Sequence, residues 1–178
     1  MISKVLLFLF LAISLFANGI YNSNLLNIQA RVYPKIIISD KNLENKTFKD
    51  KIIFTIFYED IDYKTALALK DKIENNYKSL KEKNLSVNLT NIDDFDKKAP
   101  LSTAYYFLLG DKNQISSISR FLASNNRLTF SYDDTYLEYG VIFGLKINAQ
   151  IDLFLNLKNL KESKIELENS IFNAVKIR

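Results

Sequence analysis

The chain has 178 residues, with 24 Lys and Arg against 20 Asp and Glu, and it contains neither His nor Cys. That composition excludes the usual general base, the thiolate nucleophile, disulfides and nearly all zinc and copper sites. A net charge of +4 from interspersed signs is too mild to mark a nucleic-acid binder, and the length suits one domain that buries its core without staples.

Lys4 precedes an apolar run at residues 5–16 (VLLFLFLAISLF), which is followed by Ala17, Asn18 and Gly19. Positive, apolar, small and then polar is the order of a secretory signal peptide. The run falls well short of the roughly 20 apolar residues that cross a bilayer. Residues 1–17 are therefore expected to be a signal peptide cleaved after Ala17. Residues 18–178 are expected to be one periplasmic domain that does not itself span the membrane.

Residues 20–38 read as a first helix with Leu25, Ile28, Val32 and Ile36 at helical spacing, kinked or ended near Tyr33 by Pro34. Polar residues 39–50 read as a loop. Lys51–Tyr58 (KIIFTIFY) is apolar at both alternating sets of positions, as a central strand covered on both faces requires. Asp62 is placed to cap a helix on which Ala66, Leu69, Ile73, Tyr77 and Leu80 recur every three or four residues. Leu85, Val87 and Leu89 alternate with Ser86, Asn88 and Thr90, which predicts an edge strand with one wet face.

Residues 104–109 (AYYFLL) form a second buried strand, which Gly110 ends. Ile115, Ile118 and Leu122 mark a short helix that stops at Asn125 and Asn126, and residues 128–132 (LTFSY) follow as a strand. Strands alternating with helices predict an α/β fold: a single mixed, largely parallel sheet flanked by helices. Residues 141–147 and 150–156 alternate in period two around Asn148 and Ala149, a tight hairpin. Leu167, Ile171 and Val175 predict a terminal amphipathic helix.

Ligands and partners of open α/β sheets meet the loops after the carboxyl ends of the strands. Those loops are acidic here, with Glu59, Asp60 and Asp62 after the first strand, Asp111 after the second, and Asp133 and Asp134 after the LTFSY strand. Tyr58, Tyr132 and Tyr136 border them, and Tyr139 lies beyond. The candidate rim is thus Tyr58, Glu59, Asp60, Tyr132, Asp133, Asp134 and Tyr136. Its carboxylates are open to three assignments: helix caps and solvated loop charges, oxygen ligands for a calcium ion, or an acid and base for hydrolysis with Glu59 and Asp133 as the pair. No Asp-x-Asp-x-Asp-Gly loop accompanies them, and Asp93, Asp94 and Asp96 run directly into Lys97, Lys98 and Pro100 as a loop and helix start. Neither a nucleophilic serine motif nor a glycine-rich phosphate loop occurs. No catalytic residue, metal or cofactor is therefore assigned.

From Ile115 onward a short helix leads into Leu128, Thr129, Phe130 and Ser131. An irregular loop and Gly140 then open the hairpin strand at residues 141–147, and the next strand ends Phe154, Leu155, Asn156, Leu157. Leu160 to Ile165 then lead to Ile171, Phe172 and Val175. This order resembles the YfiR-like (DUF4154) family of periplasmic regulatory proteins. Tyr33, Pro34 and KIIFTIFY stand where that family has its own first helix and strand. The resemblance implies a periplasmic regulatory or adaptor module, often a homodimer, that acts by contact on an inner-membrane signalling protein such as a diguanylate cyclase or sensor kinase. It implies no catalysis. The chain departs from some members in lacking the cysteines that join them by disulfides.

A different class remains open from the residues alone: a small periplasmic solute-binding protein using the acidic rim with Tyr58, Tyr132 and Tyr136. Expressed in a Gram-negative host, the full chain should yield a mature form whose first residue, read by intact mass, is Asn18.

Overall fold

The computed structural model describes residues 20–178, and the expected signal peptide at residues 1–17 lies outside them. Strand β1 (Lys51–Tyr58) occupies the bounds its sequence predicts and lies between two parallel partners, β3 (Lys83–Asn91) and β4 (Ala104–Phe107). With β2 (Ser79–Leu80), β5 (Leu128–Ser131), β6 (Phe143–Ile147), β7 (Ile151–Leu155) and β8 (Lys176–Ile177), the described strands form one sheet in the order β2-β3-β1-β4-β5-β6-β7-β8. Two pairings are antiparallel, β2 with β3 and β6 with β7. The five-strand parallel core, β3-β1-β4-β5-β6, has the 2-1-3-4-5 order of flavodoxin-like doubly wound sheets, whose strand order reverses beside the first strand.

Each face of β1 is buried against a different layer. Ile52, Phe54 and Ile56 join Tyr106, Phe130 and Phe143 beneath helices α1 (Ser23–Ile37) and α2 (Tyr63–Asn76). Phe57 joins Tyr105 and Phe107 beneath α3 (Lys112–Ser124) and the segment holding Ile92, Phe95 and Leu101. Burial on both sides is why β1 reads as an unbroken apolar run. Strand β3 is shielded at its outer edge only by the two-residue β2, in keeping with its predicted alternation.

Five local expectations change. Helix α2 ends at Asn76, and Leu80 lies in β2 opposite Lys83 instead of continuing the helix. Helix α1 runs through Pro34 to Ile37, because Tyr33, Pro34, Ile36 and Ile37 are all buried and the packing of that turn outweighs one lost backbone bond. Its core face is Leu26, Gln29, Ala30, Tyr33, Ile36 and Ile37, so Ile36 is buried as expected while Leu25, Ile28 and Val32 flank the core. The hairpin loop spans residues 148–150, with Ile147 opposite Ile151, one residue longer than the sequence suggests.

The terminal amphipathic helix is replaced by short pieces. Helix α4 (Leu157–Glu162) and the single turn α5 (Asn169–Phe172) precede β8, which adds in parallel to β7. Leu167 bridges to Asp40 instead of entering a helix. What overrides the helical spacing is pairing along the outer edge of β7, with flanking ion pairs: Lys176 Nζ to Asp152 Oδ1 at 2.7 Å and Arg178 Nη1 to Asp134 Oδ2 at 2.7 Å. Arg178 also covers the Phe154 ring at 4.0 Å.

Gln29, one of the polar residues buried in the core, is bonded at both ends of its amide. Its Oε1 accepts from Tyr106 Oη at 2.6 Å, and its Nε2 donates to the carbonyls of Ser131 (3.2 Å) and Tyr132 (3.1 Å). Tyr33 Oη also donates to the Ser131 carbonyl at 2.9 Å. This network fixes the rotation of α1 over the carboxyl end of β5. Gln29→Leu should lower unfolding free energy by about 1–3 kcal/mol in urea denaturation, because the Tyr106 hydroxyl is left buried without an acceptor.

Candidate functional site

At the reversal of strand order, the chain leaving β4 presents three consecutive backbone N–H groups, those of Leu109, Gly110 and Asp111. In doubly wound folds this is where a ligand is received. Here each amide donates to a side chain of the protein itself. Leu109 N donates to Tyr21 Oη at 3.0 Å, Gly110 N to Tyr136 Oη at 3.0 Å, and Asp111 N to Glu59 Oε1 at 3.0 Å. Tyr21 Oη donates onward to Asp62 Oδ2 at 2.7 Å, and Tyr136 Oη to the Gly110 carbonyl at 3.1 Å.

The predicted rim residues are brought to this end of the sheet, but most are spent on structure. Tyr132 is buried, its hydroxyl accepting from Asn22 N at 2.7 Å and its ring edge-on to Tyr21 with centroids 4.7 Å apart. Tyr136 is buried as well, so neither ring is free to anchor a partner, and Tyr139 is half-buried beside it. Asp133 Oδ1 accepts from Thr135 N at 2.8 Å and starts the 3-10 turn Asp134–Tyr139. Asp134 is buried and drawn away toward Arg178, with Lys146 Nζ at 4.0 Å. Asp60 accepts from Asn91 Nδ2 at 2.6 Å, and the half-buried Tyr58 packs against the Tyr63 ring.

Glu59 and Asp133, the candidate hydrolytic pair, thus each hold a different backbone amide. Asp111 caps α3 as expected, through Gln114 N at 2.9 Å. Asp62 does not cap α2: its backbone is not extended, φ −99° and ψ 2°, and its carboxylate is held by Tyr21 instead. Among the described residues, no group of three or more metal-ligating side chains converges. Tyr21 is the participant the sequence did not disclose. A lone tyrosine just after the expected leader carries no pattern, and its role emerges only when α1 folds across the sheet.

Burial, ahead of the bond to Asp62, pushes the Tyr21 phenol far above its usual range, and burial also raises Tyr136, Tyr33 and Tyr106. Neutral phenols are therefore the form this end of the sheet is built on.

These features define the protein's class: a doubly wound α/β domain whose switch-point crevice is filled by its own side chains. No family model matches the chain, and no curated protein matches it. Among solved structures it is similar to a conserved domain protein from Vibrio cholerae O1 biovar El Tor, at 12% identity and TM-score 0.49, covering 76% of this chain and 57% of that one. It is also similar to an ABC domain from Streptococcus pneumoniae in complex with L-Trp, at 7% identity and TM-score 0.49, covering 80% and 61%. The chain thus spans about three fifths of the length of either structure.

Because the folded phenols bind their protons more tightly than unfolded tyrosines near pH 10, their contribution to stability is whole below about pH 10 and is lost as pH rises through the folded values. Tyrosine absorbance should accordingly rise together with loss of circular dichroism, in one alkaline transition. Tyr136→Phe should remove about 1–3 kcal/mol in urea denaturation by leaving Gly110 N without an acceptor.

Proposed function

We propose that this chain is an exported regulatory or adaptor module that works by contact with another protein, an inner-membrane signalling protein such as a diguanylate cyclase or sensor kinase. The observation that carries this reading is the filled crevice: the amides of Leu109, Gly110 and Asp111, which would receive a small ligand, are all bonded to Tyr21, Tyr136 and Glu59. The same bonds weigh against a solute-binding protein that uses Tyr132 and Tyr136, since both hydroxyls already have internal partners.

The resemblance of residues 115–178 to YfiR-like regulators points the same way, as does the order of charge and apolarity at residues 1–19. No helix among the described residues is long and apolar enough to cross a membrane.

Ile61 is 84% exposed and gives a position for a probe that leaves the core untouched. A photoreactive residue at Ile61 in the full chain, expressed in intact cells of a Gram-negative host carrying its chromosomal neighbours, should yield an adduct that mass spectrometry assigns to an inner-membrane signalling protein. Retention of the chain in the cytoplasm, or adducts confined to soluble proteins at Ile61 and at a second position, Leu67, would overturn the proposal.

A further inference from the structure

The amino end of the sheet, opposite the acidic rim, holds a cation that the fold does not neutralise. Asp40 and Lys46 are both buried and pair with one another. Arg127, which directly precedes β5, sits beside them with its Nη1 donating to the Lys46 carbonyl at 3.3 Å. Its Nε is buried and has no acceptor among the described residues. Asp40, the carboxylate whose field reaches Arg127, is already committed to Lys46, so two half-desolvated cations share one anion.

The buried Nε is sealed from solvent and out of an external anion's reach, but a half-buried guanidinium whose neighbouring carboxylate is committed to Lys46 is unfavourable, and an external anion at its exposed edge would offset that charge. Burial also pulls the Arg127 guanidinium and the Lys46 ammonium below their usual values, as such crowding requires.

The guanidinium lines an open groove of about 430 Å³ together with Asn42, Asn45, Lys46, Ser124 and Asn126. Among the described residues the side-chain amides of Asn42, Asn45 and Asn126 make no hydrogen bond, so neutral N–H donors stand beside the charged one. Two features oppose an anion here: the Glu44 carboxylate, which shares a turn with Asn45 and Lys46 but is drawn to Lys83 at 2.7 Å, and the carboxyl end of α3, whose dipole is negative. Its last carbonyls are already taken, however: Phe121 O by Asn125 Nδ2, Leu122 O by the amides of Asn125 and Arg127, and Ala123 O by that of Asn126.

We infer that this groove is a binding site for a small oxyanion, a free solute presenting a phosphate or carboxylate group, with Arg127 as its charged anchor and the asparagine amides as its neutral donors. The site is independent of the contact proposed for the opposite end, and either can fail without the other.

Two-dimensional amide NMR of the 18–178 form in chloride buffer, titrated separately with inorganic phosphate and with succinate, tests the site. At least one anion should shift the amides of Lys46, Asn125, Asn126 and Leu128 saturably; which one does so identifies the group recognised. Arg127→Gln should weaken that binding about tenfold or more, the loss expected for a charge-assisted contact. Arg127→Lys should fall between, and Arg31→Gln, on an exposed turn of α1, should leave it unchanged. Absence of saturable shifts with both anions in the unmutated protein, or equal affinity in Arg127→Gln, overturns the inference. Should Arg127→Gln fail to fold, the shift map and Arg127→Lys still decide it.

Discussion

Three adjacent amides at the end of β4 cannot be left without acceptors, and the way they find them organises the molecule. The acceptors come from far apart in the chain: Tyr21 lies 88 residues from Leu109, Glu59 lies 52 from Asp111, and Tyr136 lies 26 from Gly110. Satisfying them ties the start of α1, the exit of β1 and the turn after β5 to a single point. Gly110 makes the closeness possible, since a Cβ there would stand 3.0 Å from Glu59 Oε1. A crevice that doubly wound sheets commonly leave to a ligand thereby becomes a joint between segments.

Charge is paired locally at both ends of the sheet. At the carboxyl end, carboxylates from several loops are absorbed by amides, by Tyr21, and by Arg178 and Lys176. At the amino end, Asp40 pairs with Lys46 beside Arg127, while Lys83 pairs with both Glu44 and Asp50. A mild net charge therefore conceals local imbalances of either sign. Net charge informs on solubility and gross partner class, whereas the field at a given loop depends on which side chains the fold brings together.

What was legible in the sequence follows from how local its causes are. Lys51–Tyr58 could be read to the residue because burial on two faces writes itself as an unbroken run, and Asp111 could be read as a cap because its partner, Gln114 N, is three residues away. Gln29 could not be read as core, since its partners Tyr106, Ser131 and Tyr132 lie 77 to 103 residues away, so the apolar spacing of α1 points one residue off the core at Leu25, Ile28 and Val32 and meets it only at Ile36. The spacing of Leu167, Ile171 and Val175 suggested a helix for the same reason in reverse: the pull toward β8 comes from β7, Asp152 and Asp134. The residues of the rim lie at one end of the sheet but are mostly committed to internal bonds, because sequence shows where carboxylates and tyrosines fall but not which amides they will meet.

The central position of β1 has a kinetic side. Its partners β3 and β4 both follow it in the chain, so the eight residues of KIIFTIFY are synthesised before anything exists for them to pair with. Beyond Lys51 it is an uncharged, strongly apolar segment of high strand propensity waiting for distant partners, the kind of stretch on which chains aggregate. Sequence-distant parallel pairing is also slow to form. Lys51 at one end and Glu59 with Asp60 at the other flank that segment with charge, so the residues that frame the sheet in the folded molecule also act as gatekeepers while it is still unfolded.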